Sequence, residues 1–90
     1  MTAKKLRLRI VTPEQVMTDG DADMVIMRCT TGDMGILPGH EACSAALDDG
    51  TLRVLDGGGE RRVAVHGGVA TIQNDVLTIL TNAAEWADEA

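Results

Sequence analysis

His40 and Cys43 stand three residues apart, and an imidazole beside a thiol is the smallest set of groups that makes a sulfur nucleophile: the ring accepts the proton and the thiolate attacks. No third group is close by to orient the ring, and 90 residues hardly enclose a substrate pocket, so catalysis is not the expected use of this pair. Asp19, Asp21 and Asp23 alternate as the first ligands of a calcium loop do. Such a loop would continue with Gly and Glu where this chain has Met24 and Thr30, and a polar hairpin turn is the expected form of the stretch. Zinc requires three or four clustered ligands, whereas Cys29, His40, Cys43 and His66 are scattered without paired spacing. Gly57, Gly58 and Gly59 precede neither a helix nor a Lys-Ser or Lys-Thr pair, so they make no phosphate loop. The expectation is no catalytic residue, no metal and no cofactor. A chain of this kind works by contact.

Contact has a candidate in the segment from Thr31 to His40, TGDMGILPGH. Gly32, Gly35 and Gly39 permit unusual backbone geometry, Pro38 stiffens the segment, and Met34, Ile36 and Leu37 are apolar in loop-rich surroundings. Two readings stay open. The apolar side chains plug one end of the fold, or they form a ridge carrying one charge, Asp33, and one titratable donor, His40, toward another protein.

The elements that would position this segment are strands. Leu6, Leu8 and Ile10 alternate with Arg7 and Arg9, the period of a strand with one buried face, read here as an edge strand with its basic side in water. Gln15 to Thr18 is a short second run closed by a turn at Asp19-Gly20-Asp21, and Met24 to Cys29 is a continuous apolar strand in a central position. Met34 to Leu37 is a short extended piece, and Glu41 to Leu47 is either a strand or a single helical turn. Thr51 to Leu55 with Arg61 to Val65, and Val69 to Ile72 with Val76 to Leu80, are two hairpins. Gly67-Gly68 between them allows a corner or bulge. Short strands at this spacing predict an all-β sandwich or barrel over residues 1–81. Asn82, with Glu85 three residues later and Ala83, Ala84 and Ala87 nearby, predicts a short, fraying helical tail over 82–90.

The composition agrees with one globular unit of 90 residues, large enough to bury roughly 60% of its unfolded surface. Trp86 is the sole aromatic, so the core must come from Val, Leu, Ile, Met and Ala, and there is no stacking platform for nucleic acid. The net charge of −6 hides an asymmetry: four basic residues fall in the first ten, and the rest of the chain carries four basic and fourteen acidic side chains. That balance excludes a basic nucleic-acid face. No apolar run is long enough to span a bilayer, and two cysteines suit free thiols in a reducing, cytoplasmic compartment.

Several stretches, taken in order, carry a resemblance: Val11-Thr12-Pro13-Glu14, then GDMGILPGH from Gly32 to His40, then Gly50-Thr51-Leu52-Arg53-Val54, Gly67-Gly68, and finally Asn74 to Leu80. Together they resemble the N-terminal β-sandwich domain of the epsilon subunit of F-type ATP synthases. The resemblance implies a ten-stranded sandwich of two sheets. It further implies a non-catalytic rotor subunit at the foot of the central stalk, on the cytoplasmic face of a bacterial inner membrane, docking the gamma subunit onto the c-subunit ring without inserting into the membrane. Carried over by position, it places Asp33, Met34 and Ile36 at the c ring and Thr12, His40 and Ala45 at gamma. Departures are present: Glu41-Ala42-Cys43 follows Gly-His where the family has small apolar residues and a proline, and Val69 stands where an aromatic is common. The family's C-terminal helical hairpin has no counterpart beyond its entry at Ala84 to Glu89. A free-standing adaptor or ligand-binding β domain of the same fold is the rival expectation.

Overall fold

Apolar and polar residues alternate along most of the chain, and alternation sets one face of a strand against a core. The computed structural model describes residues 4–87, and the regular elements among them are all strands. They are β1 (Leu6–Val11), β2 (Val16–Ala22), β3 (Met24–Cys29), β4 (Gly32–Ile36), β5 (Cys43–Leu47), β6 (Gly50–Asp56), β7 (Gly59–Val65), β8 (Gly68–Gln73), β9 (Val76–Leu80) and β10 (Ala84–Trp86). Their order in the sheet is β10-β7-β6-β3-β5-β8-β9-β1-β2, with β4 on the other side of β3. Pairing is antiparallel except between β1 and β9.

The ladder narrows at one place. A single pair, Cys29 with Leu47, joins β3 to β5, flanked by hydrogen bonds from Thr30 N–H to Ala46 O (3.0 Å) and from Asp48 N–H to Arg28 O (3.1 Å). There the sheet folds over, giving the two layers of a sandwich. One core lies between them: Leu6, Ile10, Leu77 and Ile79 from one layer meet Val25, Met27, Leu52 and Val63 from the other, and all are at most 2% exposed. This core has no aromatic residue, as expected from a sequence whose one ring, Trp86, is 36% exposed.

Turn chemistry fixes the register. Gly57 and Gly58 both have positive φ, as do Asn74 and Asp75, giving the two-residue connections that match strand twist in the β6–β7 and β8–β9 hairpins. Gly67 (φ 68°) and Gly68 (φ 129°) form the expected corner, carrying the chain from β7 in one layer to β8 in the other. Thr81, buried, fastens that corner by donating its hydroxyl proton to Gly67 O at 2.6 Å.

The structure corrects three expectations. The tail does not form a helix over residues 82–87: Ala84–Trp86 pair with Val63–Val65 as a tenth strand, and residues 88–90 lie outside those described. An isolated helix of this length gains little, whereas the open edge of β7 offers His66 N–H to Ala83 O (3.1 Å), Arg62 O to Ala87 N–H (2.9 Å), and the Arg61 guanidinium 3.8 Å from the Trp86 ring centroid. Asp19-Gly20-Asp21 is not a turn but the middle of β2, because Asp19 and Asp21 face Arg9 and Arg7 across the ladder and Arg7 Nε donates to Asp19 Oδ1 at 2.6 Å. β1 is not an edge strand: it lies between β9 and β2, and its basic face is matched by the carboxylates of β2.

On the outer face of the β6–β7 hairpin, Glu60 receives Arg53 through two bonds (2.8 and 3.1 Å) and Arg62 through one (2.9 Å). These guanidinium hydrogen bonds, Arg53 first and then Arg62, hold the Glu60 carboxyl at about 2 instead of 4.5. A depressed carboxyl stabilises the fold above its unfolded pKa and loses that contribution as pH falls through its folded one. Acid unfolding should therefore show a contribution from Glu60 that fades between about 4.5 and about 2. Comparing urea midpoints at pH 7 and pH 3, Glu60→Gln should lower the first more than the second; equal shifts would contradict the assignment.

Candidate functional site

The segment singled out by sequence divides between two elements. Asp33 and Met34 lie on β4, opposite Arg28 and Met27 of β3. Asp33 is exposed, with Arg28 Nε 3.8 Å from its Oδ1, a loose cross-strand pair that leaves the carboxylate open to a partner. Met34 is half-buried and packs on the core. Ile36 is fully buried opposite Val25, so its side chain belongs to the core and has no surface to offer a c ring. The apolar surface at that end of the segment comes from the next residue, Leu37, which is 53% exposed.

Leu37 to His40 is a tight turn leading into β5. His40 N–H donates to Leu37 O at 3.2 Å, and Gly39 takes φ 88°. Gly39 N–H also donates to Asp75 Oδ1 at 2.7 Å, tying the turn to the apex of the β8–β9 hairpin. That bond, followed by Lys4 3.3 Å from Oδ2, holds the Asp75 carboxyl below the usual carboxylate range. The His40 ring lies with Nδ1 2.8 Å from Glu41 O, a carbonyl that can only accept, so Nδ1 carries the proton. Cys43 Sγ is 4.0 Å from that same nitrogen. The nitrogen facing the thiol is therefore a donor already engaged, which is the wrong state for a general base. Burial pushes the other thiol, Cys29, above its ordinary pKa, and both cysteines are free. Among the described residues no cluster of three or more His, Cys, Asp or Glu side chains could hold a metal ion.

Thr12, His40 and Ala45 do not converge. Thr12 closes the turn after β1, its N–H donating to Gln15 O at 2.9 Å, and it follows Val11, which lies beside Leu80. His40 sits toward Asp75, at the opposite end of β9, roughly 17 Å away along the strand. Ala45 is half-buried in β5, packed on the core. A groove of about 390 Å³ lies elsewhere, between β1–β2 and β6, β7 and β10, and none of the predicted contact residues lines it.

The register reveals a surface that the sequence reading missed. Ala46, Val69, Leu80, Val11 and Val16 are successive cross-strand neighbours on β5, β8, β9, β1 and β2. They form one apolar row across an entire layer. Val69 is 44% exposed, Leu80 52% and Val16 51%, whereas Ala70 and Ile79, the neighbours of Val69 and Leu80, are almost wholly buried. The available signal was the alternation itself: Ala70 and Ile79 inward require Val69 and Leu80 outward.

Comparison with known proteins agrees with this architecture. Residues 5–87 match the family described as ATP synthase, Delta/Epsilon chain, beta-sandwich domain. An ATP synthase epsilon chain from Synechococcus sp. (strain WH7803) is 50% identical over 80 residues, which cover 89% of this chain and 59% of that one. The epsilon chain of Alkalihalophilus pseudofirmus is 44% identical over 80 residues, covering 89% and 60%. Thus the chain spans about three fifths of the length of these relatives. Among solved structures, a chain of the Euglena gracilis mitochondrial ATP synthase, OSCP/F1/c-ring, superposes with a TM-score of 0.86 at 26% identity, covering 91% of this chain and 53% of that one. With its ten strands, its glycine corner and its GILPGH turn in place, this chain belongs to the ATP synthase delta/epsilon chain β-sandwich family.

Proposed function

We propose that this domain is a non-catalytic rotor component of an F-type ATP synthase, docking the gamma subunit onto the c-subunit ring so that ion-driven rotation is coupled to ATP synthesis. It works at the cytoplasmic face of a bacterial inner membrane, peripheral to the bilayer. The observation that carries this reading is the apolar row of Ala46, Val69, Leu80, Val11 and Val16. Three of its branched side chains, Val16, Val69 and Leu80, are left in water, which suits burial against another protein. The row ends next to Thr12, which the family resemblance assigns to gamma together with His40. His40 makes a separate contact at the far end of β9, and Ala45 faces the core from the opposite side of β5. Asp33 faces the c ring, where its exposed carboxylate meets a basic loop side chain, while Met34 beside it packs inward on the core.

The test is co-elution of the chain with its own gamma subunit on a sizing column. A one-to-one complex is expected at modest and at high salt, because an apolar contact is not screened. Leu80→Asp, at a position half in water, should leave the fold intact and weaken the complex about tenfold or more. Asp33→Arg, on the other surface, should leave co-elution unchanged. Separate elution of the two wild-type proteins at every salt concentration would favour a free-standing adaptor of the same fold.

A further inference from the structure

The turn that carries Leu37 and His40 has an internal bond, His40 N–H to Leu37 O, and an external one, Gly39 N–H to the Asp75 carboxylate. Asp75 stands at the apex of the β8–β9 hairpin and is bound on three sides. Its Oδ1 accepts the Gly39 proton at 2.7 Å, its Oδ2 lies 3.3 Å from Lys4 Nζ, and its main-chain oxygen accepts Arg7 N–H at 2.8 Å. Its own φ is 62°, and the bond from Gly39 shows that its side chain reaches the turn. One residue thus connects the start of β1, the β8–β9 hairpin and the crossing from β4 to β5. A charge-assisted bond to a backbone N–H is stronger than a neutral one, and this one fixes a glycine whose positive φ leaves the turn otherwise free to rearrange.

We propose that Asp75 is the positioning residue for the His40 contact: by accepting the Gly39 amide proton it holds the Leu37–His40 turn in the form that presents the exposed Leu37 and the His40 ring to the gamma subunit. This rests on the gamma-docking reading above. The residue touches the partner's surface only through the turn it holds, so its loss should act on the turn and on affinity while the core stays unchanged.

The experiment uses three variants of the 90-residue chain. Asp75→Gly removes the carboxylate and tolerates the positive φ, Asp75→Asn keeps an acceptor oxygen at a residue type that also tolerates it, and Lys4→Ala removes the flanking ion pair alone. Amide hydrogen exchange is read at Gly39, His40, Leu77 and Ile79, and gamma affinity is measured in parallel. In Asp75→Gly, exchange at Gly39 should quicken by about tenfold or more, with Leu77 and Ile79 unchanged, and gamma should bind about five- to tenfold more weakly. Asp75→Asn should restore most of both, and Lys4→Ala should alter neither. Unchanged exchange at Gly39 in Asp75→Gly would overturn the clamp. Faster exchange with undiminished gamma affinity would overturn the positioning role while leaving the docking reading intact. Failure of the wild-type chain to bind gamma would remove the docking reading and this role with it, while the exchange data would still decide whether the clamp exists.

Discussion

Gly68→Ala is expected to lose most of the stability of the fold, by about 4 kcal/mol or more. Two independent costs meet at this position. Its φ of 129° lies where a side chain is rarely tolerated, and a Cβ placed there would stand 2.1 Å from Leu80 O and 3.0 Å from Thr81 Cα. Those neighbours are backbone, and neither can swing aside: Leu80 pairs with Val69 and with Val11, and Thr81 is fastened to Gly67 O. A domain of this size has about 5–13 kcal/mol in all, so the variant should show a much lower urea midpoint or no cooperative transition. Gly57→Ala supplies the control. Gly57 also has positive φ, at 62°, but open space surrounds it, so only the conformational cost of about 1–2 kcal/mol applies. Equal midpoints for the two variants would refute the steric argument.

Leu77→Ala is expected to cost about 3–5 kcal/mol, the upper part of the range for a buried leucine. Leu77 is fully buried, flanked in the sheet by Leu8 on one side and Ile72 on the other, and these are nearly as buried. The cost of such a cavity depends on how far the walls can relax. Here they are backbone-locked strands bearing aliphatic side chains, with no large ring to tilt into the gap. Val76→Ala, one residue earlier and 37% exposed on the other face, should cost less than about 1 kcal/mol. Chemical denaturation followed by far-ultraviolet circular dichroism reads both, and similar losses would mean that β9 is not buried as described.

The sequence was most legible where a strand has a clear two-residue period and a turn has glycine or Asn-Asp at its centre, as in β1 and the β6–β7 and β8–β9 hairpins. It was least legible where a local preference competed with a distant partner. Asp19-Gly20-Asp21 has the composition of a turn, yet Arg7 and Arg9 on β1 draw it out into strand. Ala83 to Ala87 has the composition of a helix, yet the vacant edge of β7 takes it as β10. The contact residues follow the same logic. The exposure of Asp33 agrees with its polar, loop-like surroundings in sequence, but the burial of Ile36 depends on its pairing with Val25, and the apolar row exists only once five strands are in register. The Asp75 carboxylate and the Gly39 amide are brought together by tertiary folding, and no short-range pattern announces them.

The parallel pairing of β1 with β9 sets a clock on folding. Leu8 lies beside Leu77 and Ile10 beside Ile79, so β1 cannot complete its sheet until β9, about 65 residues further along the chain, has been made. Until then β1 has only β2 beside it in the sheet, and its buried side chains Leu8 and Ile10 lack their neighbours Leu77 and Ile79. A nascent chain halted before Val76 would therefore display an unmatched strand edge, the very surface that seeks a stranger's backbone. Closure of this layer therefore waits for β9, the ninth of the ten described strands.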